Sequence, residues 1–173
     1  MQSINSAINT HNIVMCANMF VRRDGKILVL KRSELKKVAP DFYHPAGGKV
    51  DQNEEPLQAA KRELMEESGL TVKNIHLEAV ITEIEPHNPS ENWLIFHYSV
   101  DYESGEVKET LEGEFVWLTK EELIKCENLF PSVKALIKYI VDENTGTVFA
   151  SFFYTDCKTE TAKLRDLEIC DIN

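Results

Sequence analysis

At 173 residues with 43% apolar side chains, the chain is long enough for one domain with a sizeable core. Its 29 acids against 19 bases give a formal charge of −10, which disfavours broad electrostatic binding to nucleic acid or an anionic membrane. No apolar run approaches a membrane span, the first ten residues have neither the basic start nor the apolar middle of a secretory leader, and Cys16, Cys126, Cys157 and Cys170 lack zinc or CxxC spacing. The expectation is a cytoplasmic chain with reduced thiols.

Residues 1–11 form a polar lead. From Ile13 the chain turns apolar, and Asp24-Gly25 separates that run from Lys26-Ile27-Leu28-Val29-Leu30, which predicts an antiparallel hairpin. Lys31, Arg32, Lys36 and Lys37 then make a basic cluster in an acidic protein, either a solvated loop or a holder of substrate phosphate. Residues 40–45 are a turn-rich approach to Gly47 and Gly48, within which His44 reads as a hydrogen-bonded structural histidine.

Residues 55–68 predict a helix, with Pro56 in the first turn and Gly69 as a left-handed cap. At about 100° per residue, Leu57, Ala60 and Leu64 form one apolar stripe, and Glu63, Glu66 and Glu67 share an adjacent face. Such spacing costs roughly 0.2–0.5 kcal/mol per like-charge pair, and the last turn of a helix favours cations. Positive charge is therefore expected there. Lys61 and Arg62 neutralise part of the cluster, and a hard divalent ion suits three carboxylates better; the alternative is a solvated acidic face.

Residues 72–85 alternate apolar side chains at Ile75, Leu77, Ala79 and Ile81, the period of a strand, and residues 86–90 turn. Residues 92–101 predict a second buried strand, in which Trp93 and Phe96 are either core or face a nucleotide base. A polar loop over 103–114 leads to a short strand at 115–118. Thr119 and Glu122 are spaced as a capping box for the helical turn that follows, and residues 133–141 have helical apolar spacing. Residues 142–147 make a polar break, placing a domain over 12–141. The extension over 142–173, with an apolar strand at 148–154 and a charged tail from Lys158, is too short for its own core and is expected to pack on the domain or on a partner in a homodimer.

From Gly48 to Leu70 the chain reads Gly48, five residues, Glu54, seven residues, then Arg62-Glu63-Leu64-Met65-Glu66-Glu67-Ser68-Gly69-Leu70. This resembles the signature box of the Nudix hydrolase family, with every specified position filled. The resemblance implies an α/β/α sandwich, a mixed sheet between helices, and an enzyme that cleaves nucleoside diphosphate-linked substrates with Mg²⁺ or Mn²⁺. By the same resemblance Glu66 and Glu67 are metal ligands, Glu63 is ligand or general base, and the Gly47 carbonyl assists. Gly48 approaches substrate, while Glu54 and Arg62 pair to fix the loop on the helix. Arg32 and Tyr43 are the substrate contacts implied, and Glu114, with Glu112 the other candidate, activates water. Three departures concern loop geometry: Ala46 follows Pro45 where the family has proline directly before the glycines, Tyr43 stands where tryptophan is common, and Asn53 replaces a glycine. No asparagine lies between Phe130 and Val141, which counts against one family mode of purine recognition. The expected substrate is a nucleoside triphosphate, oxidised bases included, with release of pyrophosphate. ADP-ribose or a nucleotide sugar is the alternative, and a silent nucleotide sensor is disfavoured because all the box glutamates are retained.

Overall fold

The computed structural model describes residues 12–35, 39–108, 110, 112–142, 146–155 and 157–170. The 1–11 lead, Lys36 and Lys37 of the basic cluster, and residues 143–145 of the polar break at 142–147 lie outside them. The described strands are β1 (Asn12–Arg23), β2 (Lys26–Arg32), β3 (Tyr43–His44), β4 (Ala46–Lys49), β5 (Thr71–Ile84), β6 (Glu91–Ser104), β7 (Gly113–Thr119), β8 (Thr147–Phe153) and β9 (Lys163–Cys170). Helices α1 (Pro56–Ser68), α2 (Lys120–Lys125) and α3 (Pro131–Ile140) accompany them.

The strands form one mixed sheet in the order β3-β2-β1-β6-β5-β8-β9, with β4 paired to β1 and β7 to β2. Helix α1 buries Ala59, Ala60 and Leu64 against Ala17, Met19 and Val21 on one face. Helix α3 buries Val133, Leu136, Ile137 and Ile140 against Phe20, Ile81 and Ile95 on the other, which makes the α/β/α sandwich.

Local signals account for most element ends. Asp24 and Gly25 both take positive φ, as a two-residue hairpin turn demands, and Arg23 pairs Lys26 across it. At α2, Glu122 N–H donates to the Thr119 hydroxyl at 3.2 Å while Thr119 N–H donates to the Glu122 carboxylate at 2.8 Å.

Two features that position the site are non-local. The free side of β1 is shared: β2 pairs with it at Val21, Arg22 and Arg23, and β4 at Cys16 through Met19. The second is a bulge in β5. Alternation predicts one face for Ile75, Leu77, Ala79 and Ile81, but the register with β6 shifts between Leu77 and Ala79. Ile75 and Leu77 consequently pack on the α1 side, and Ala79 and Ile81 on the α3 side. Glu78, at the bulge, is buried and bonded to Arg22 at 3.1 Å and to the Ser99 hydroxyl.

Beyond residue 142, β8 pairs parallel with β5, from Ala79↔Val148 to Ile84↔Phe153, and β9 pairs antiparallel with β8. Val148, Ala150, Phe152 and Tyr154 enter the same core as α3. Strands β5 and β6 also extend further than alternation suggests, Thr71 pairing Ser104, so the loop before β7 begins later than residue 103.

Candidate active site

Helix α1 starts where Glu55 accepts the Gln58 N–H at 3.2 Å and Pro56 occupies the first position, and it ends where Gly69 takes φ 75° and donates to the Met65 carbonyl. Burying Ala60 and Leu64 turns the neighbouring acidic face toward β4. There the two glycines make room. A Cβ on Gly48 would lie 2.6 Å from the Glu63 carboxyl carbon, so the Glu63 side chain occupies the space a larger residue would fill. Gly47 takes φ 144°, and a Cβ on it would lie 2.3 Å from the Ala17 carbonyl oxygen. Its N–H donates to Glu67 Oε2 at 3.1 Å, which ties β4 to the end of the helix.

Arg62 organises the opposite side. Its Nε and Nη2 meet the two oxygens of Glu54 at 3.0 and 2.9 Å, the two-point geometry that fixes a guanidinium on a carboxylate. Nη2 also reaches the Lys49 carbonyl at 3.2 Å, while Nη1 donates to Glu63 at 2.7 Å and Glu66 at 3.4 Å. Glu54 accepts the Asp51 N–H at 3.1 Å as well; the Arg62 contact, with that bond, holds its carboxyl below the usual range.

Glu67 differs from its neighbours. Burial first, with the negative charge of Glu63 and Glu112 added, outweighs the Gly47 N–H and the nearby Arg32 and pushes its carboxyl up to about 7. The donors suit a hard divalent cation: all are carboxylate oxygens at i, i+3 and i+4 of one helix, beside the glycine backbone. In the structure Glu63 and Glu66 are turned to Arg62, and among the described residues no three acid, histidine or cysteine side chains close on one point.

A cavity of about 490 Å³ opens on the far side of the two glycines. Gly47, Gly48 and Lys49 form one wall, Trp93, Ile95, Phe130 and Val133 supply apolar surface, and Asn18, Arg32, His44, Glu83, His97 and Ser132 bring polar groups into it. Arg32 joins cavity to acids: it lines the cavity, contacts His44 at 3.4 Å, and lies in the field of Glu67 and Glu112.

The Nudix domain model matches residues 11–140. The chain belongs to the Nudix hydrolase family. Among curated proteins it is 31% identical over 144 residues to the uncharacterised Nudix hydrolase YvcI of Bacillus subtilis (strain 168), covering 80% of this chain and 85% of that one. It is 32% identical over 115 residues to the uncharacterised Nudix hydrolase YfcD of Salmonella typhi, covering 65% of this chain but only 61% of that protein's length. Among solved structures, the Mutator MutT protein from Bacillus halodurans superposes with a TM-score of 0.72 at 22% identity, over 90% of this chain and 97% of the other, a likeness of fold. Nudix hydrolases generally depend on a divalent metal.

Against that family pattern, the structure gathers Gly47, Gly48, Glu54, Arg62, Glu63, Glu66, Glu67 and Arg32 around one junction of α1, β4 and β2. Tyr43 does not line the cavity; it packs into the α3-side core, its backbone pairing with the Asn128 carbonyl and the Phe130 N–H, both at 2.8 Å. Of the two loop acids, Glu112 is half-buried and acts on Glu67 and Arg32. Glu114 is exposed opposite Lys31 on β7 and lines a separate hollow with Val107 and Lys108. Their shared parity would put them on one face of a strand. Glu112 lies outside β7, which begins at Gly113, so the alternation does not reach it; a Cβ on Gly113, whose φ is 156°, would lie 2.0 Å from the Lys31 carbonyl oxygen.

Residue type alone did not single out Asn18, Glu83 and His97 as cavity groups, although Glu83 stands one step beyond Ala79 and Ile81 in the period of β5 where an apolar residue is expected. Trp93 lines the cavity and packs on the core at once, whereas Phe96 faces the α1 side. No helix among the described residues is long and apolar enough to cross a membrane.

Proposed function

We propose that the chain hydrolyses a phosphoanhydride bond of a nucleoside triphosphate, oxidised bases included, and releases pyrophosphate, with Mg²⁺ or Mn²⁺ held by Glu63, Glu66, Glu67 and the Gly47 carbonyl. What supports this reading is one juxtaposition: the glycine wall that carries the acid face on one side bounds, on the other, a cavity of about 490 Å³ with apolar sides suited to a single base. When bound, the divalent ion neutralises phosphate oxygens and lowers the pKa of a coordinated water.

The chain's own groups do the rest. Arg32 and Lys49, both lining the cavity, hold the phosphates at its mouth. Glu54, through its two-point contact with Arg62, keeps the loop of β4 seated on α1, so that Glu63 stays against Gly48 and Glu67 on the Gly47 N–H. Glu112 takes the proton of the attacking water, because it faces Glu67 and Arg32 whereas Glu114 points to another hollow.

The test is a substrate panel assayed with and without Mg²⁺ or Mn²⁺. Metal-dependent pyrophosphate release from triphosphates is expected. Faster formation of AMP from ADP-ribose, or of a nucleoside monophosphate from a nucleotide sugar, would transfer the proposal to the alternative substrate class, and metal-independent turnover would remove it.

A further inference from the structure

Strands β8 and β9 widen the sheet beyond the reach of α1. That helix is about 10–12 Å across, the width of roughly two strands, and it buries its apolar stripe over Ala17, Met19 and Val21 of β1. The register carries three rows of side chains past it on the same face. Phe149 stands beside Val80, Ser151 beside Thr82, and Phe153 beside Ile84. The second row continues to Leu94 and Met15, and the third to Asn92 and Ile13. Helices α2 and α3 pack on the opposite face, through Leu123 and Leu136, so among the described residues no helix covers these rows. Phe149 is 42% exposed, Phe153 38% and Ile13 54%, while Val80, Ile84, Leu94 and Met15 are half-buried. A contiguous apolar face of this kind marks an interaction surface, unlike apolar residues scattered singly.

The charges beside these rows say what fits them. Lys163 Nζ lies 6.0 Å from the centre of the Phe153 ring, and Arg165, Asp166 and Glu168 line a shallow hollow with Val80, Thr82 and Phe149. Two bases and two acids leave β9 neutral on this face, in a chain whose formal charge is −10. Two copies of so acidic a chain repel over most of their surface and can meet where it is neutral and apolar. The signs are also ordered along the strand, with the bases at the Phe153 end and Glu168 at the Phe149 end. Asp166 is engaged within the chain, accepting from the Ser151 hydroxyl at 2.8 Å and lying 3.3 Å from Arg165, so Glu168 is the acid left to face a second copy.

We propose that this face binds a second copy of the chain, sheet on sheet, about a two-fold axis running across the strands. With that axis through the Ser151 row, β9 lies antiparallel over its copy. Lys163 and Arg165 of one copy then meet Glu168 of the other, and Phe153 of one meets Phe149 of the other. Aligned packing of twisted sheets about 10 Å apart provides such a contact without new secondary structure. Five strands and three rows span roughly 24 Å by 20 Å, so the two copies together bury about 1,000 Å², the lower bound for a specific interface. The dimer is therefore weak and concentration-dependent, and the extension after residue 142 carries the contact.

Sedimentation velocity of the full chain, over a range of about 1 to 100 μM, tests this. A monomer–dimer equilibrium with Kd on the order of 10 μM is expected. Phe149→Lys, at an exposed position, should raise Kd on the order of 100-fold while circular dichroism shows the fold unchanged. Lys163→Glu and Glu168→Lys should each weaken the dimer roughly 10-fold, and the double variant, which restores opposite signs across the axis, should regain affinity. A wild-type chain that stays monomeric at about 100 μM, which needs no variant to observe, overturns the proposal, and so does a dimer that Phe149→Lys leaves intact. A double variant no tighter than either single one overturns the antiparallel arrangement.

Discussion

Replacing each of the two adjacent glycines by alanine should damage the protein in different ways. At Gly48 the new methyl would meet only the end of a flexible side chain: the Glu63 carboxyl carbon at 2.6 Å and its oxygens at 2.8 and 2.9 Å. Ordinary contact begins near 3.4 Å, so the carboxyl must retreat by roughly 0.8 Å. A misplacement of about 1 Å in catalytic geometry costs on the order of 10²-fold. No positive φ is involved at Gly48, and alanine stiffens the unfolded chain, so stability should stay within about 1 kcal/mol of wild type. At Gly47 the methyl meets backbone, the Ala17 carbonyl at 2.3 Å and the Asn18 Cα at 2.6 Å, in a residue whose φ is already 144°. Neither can move without parting β4 from β1. A loss of about 3 kcal/mol is expected, which for a chain of this size lowers Tm by about 6–12 °C. Scanning calorimetry paired with metal-dependent turnover reads both quantities. If Gly48→Ala melts as early as Gly47→Ala, or keeps wild-type kcat/KM, then Glu63 does not hold the position argued for it.

Glu63→Gln, Glu66→Gln and Glu67→Gln should each lower turnover by orders of magnitude while circular dichroism shows an unchanged fold; wild-type rates in all three would end the metal assignment. Glu112→Gln should reduce kcat and Glu114→Gln should not, a contrast visible in steady-state kinetics and reversed if Glu114 activates water. The Arg62 contact lowers the Glu54 pKa in the folded state, so the stability it contributes is present above the unfolded value near 4.3 and is lost as pH falls through the lower folded value. The Tm gap between wild type and Glu54→Gln should therefore be widest near neutrality and narrow below about pH 4.3, and a gap constant with pH would count against the pair. Phe152, 1% exposed in the α3-side core, should cost about 3–5 kcal/mol when changed to alanine, measured by urea denaturation; a neutral outcome would mean that β8 is not part of that core.

The elements that were legible in the sequence have causes within a few residues of themselves. Pro56 and Gly69 bound α1, Asp24-Gly25 turns the hairpin, and Thr119 with Glu122 starts α2. Strands β3 and β4 have no such cause. Tyr43 and His44 are strand because β2 lies beside them, and residues 46–49 because β1 offers its side where β2 is not paired, so neither shows a period of its own. The bulge in β5 is equally non-local. Alternation continues unbroken through Glu78, and only the pairing with β6, with Arg22 and Ser99 reaching Glu78, divides one apolar series between two cores.

The site divides along the same line. The acid face of α1 is a property of helical spacing, so the shared face of Glu63, Glu66 and Glu67 is legible in one segment, whereas the proposal of Glu112 over Glu114 rests on contacts across the sheet that place Glu112 near Glu67 and Arg32. Glu83 lies between these cases. Its neighbours at Ala79 and Ile81 are buried at period two, so a glutamate at the next step predicts either an exposed strand end or a buried acid with assigned partners. The two outcomes differ only through what lies opposite, and here that is Tyr154, 71 residues further on. A polar residue on the apolar period of a strand is thus a signal that a partner distant in sequence exists, and the nature of the partner tells structure from function. A cation would have marked Glu83 as one half of a structural ion pair. A tyrosine hydroxyl instead orients the carboxyl while burial raises its pKa above the usual carboxylate range, so its placement depends on hydrogen bonds and not on an ion pair.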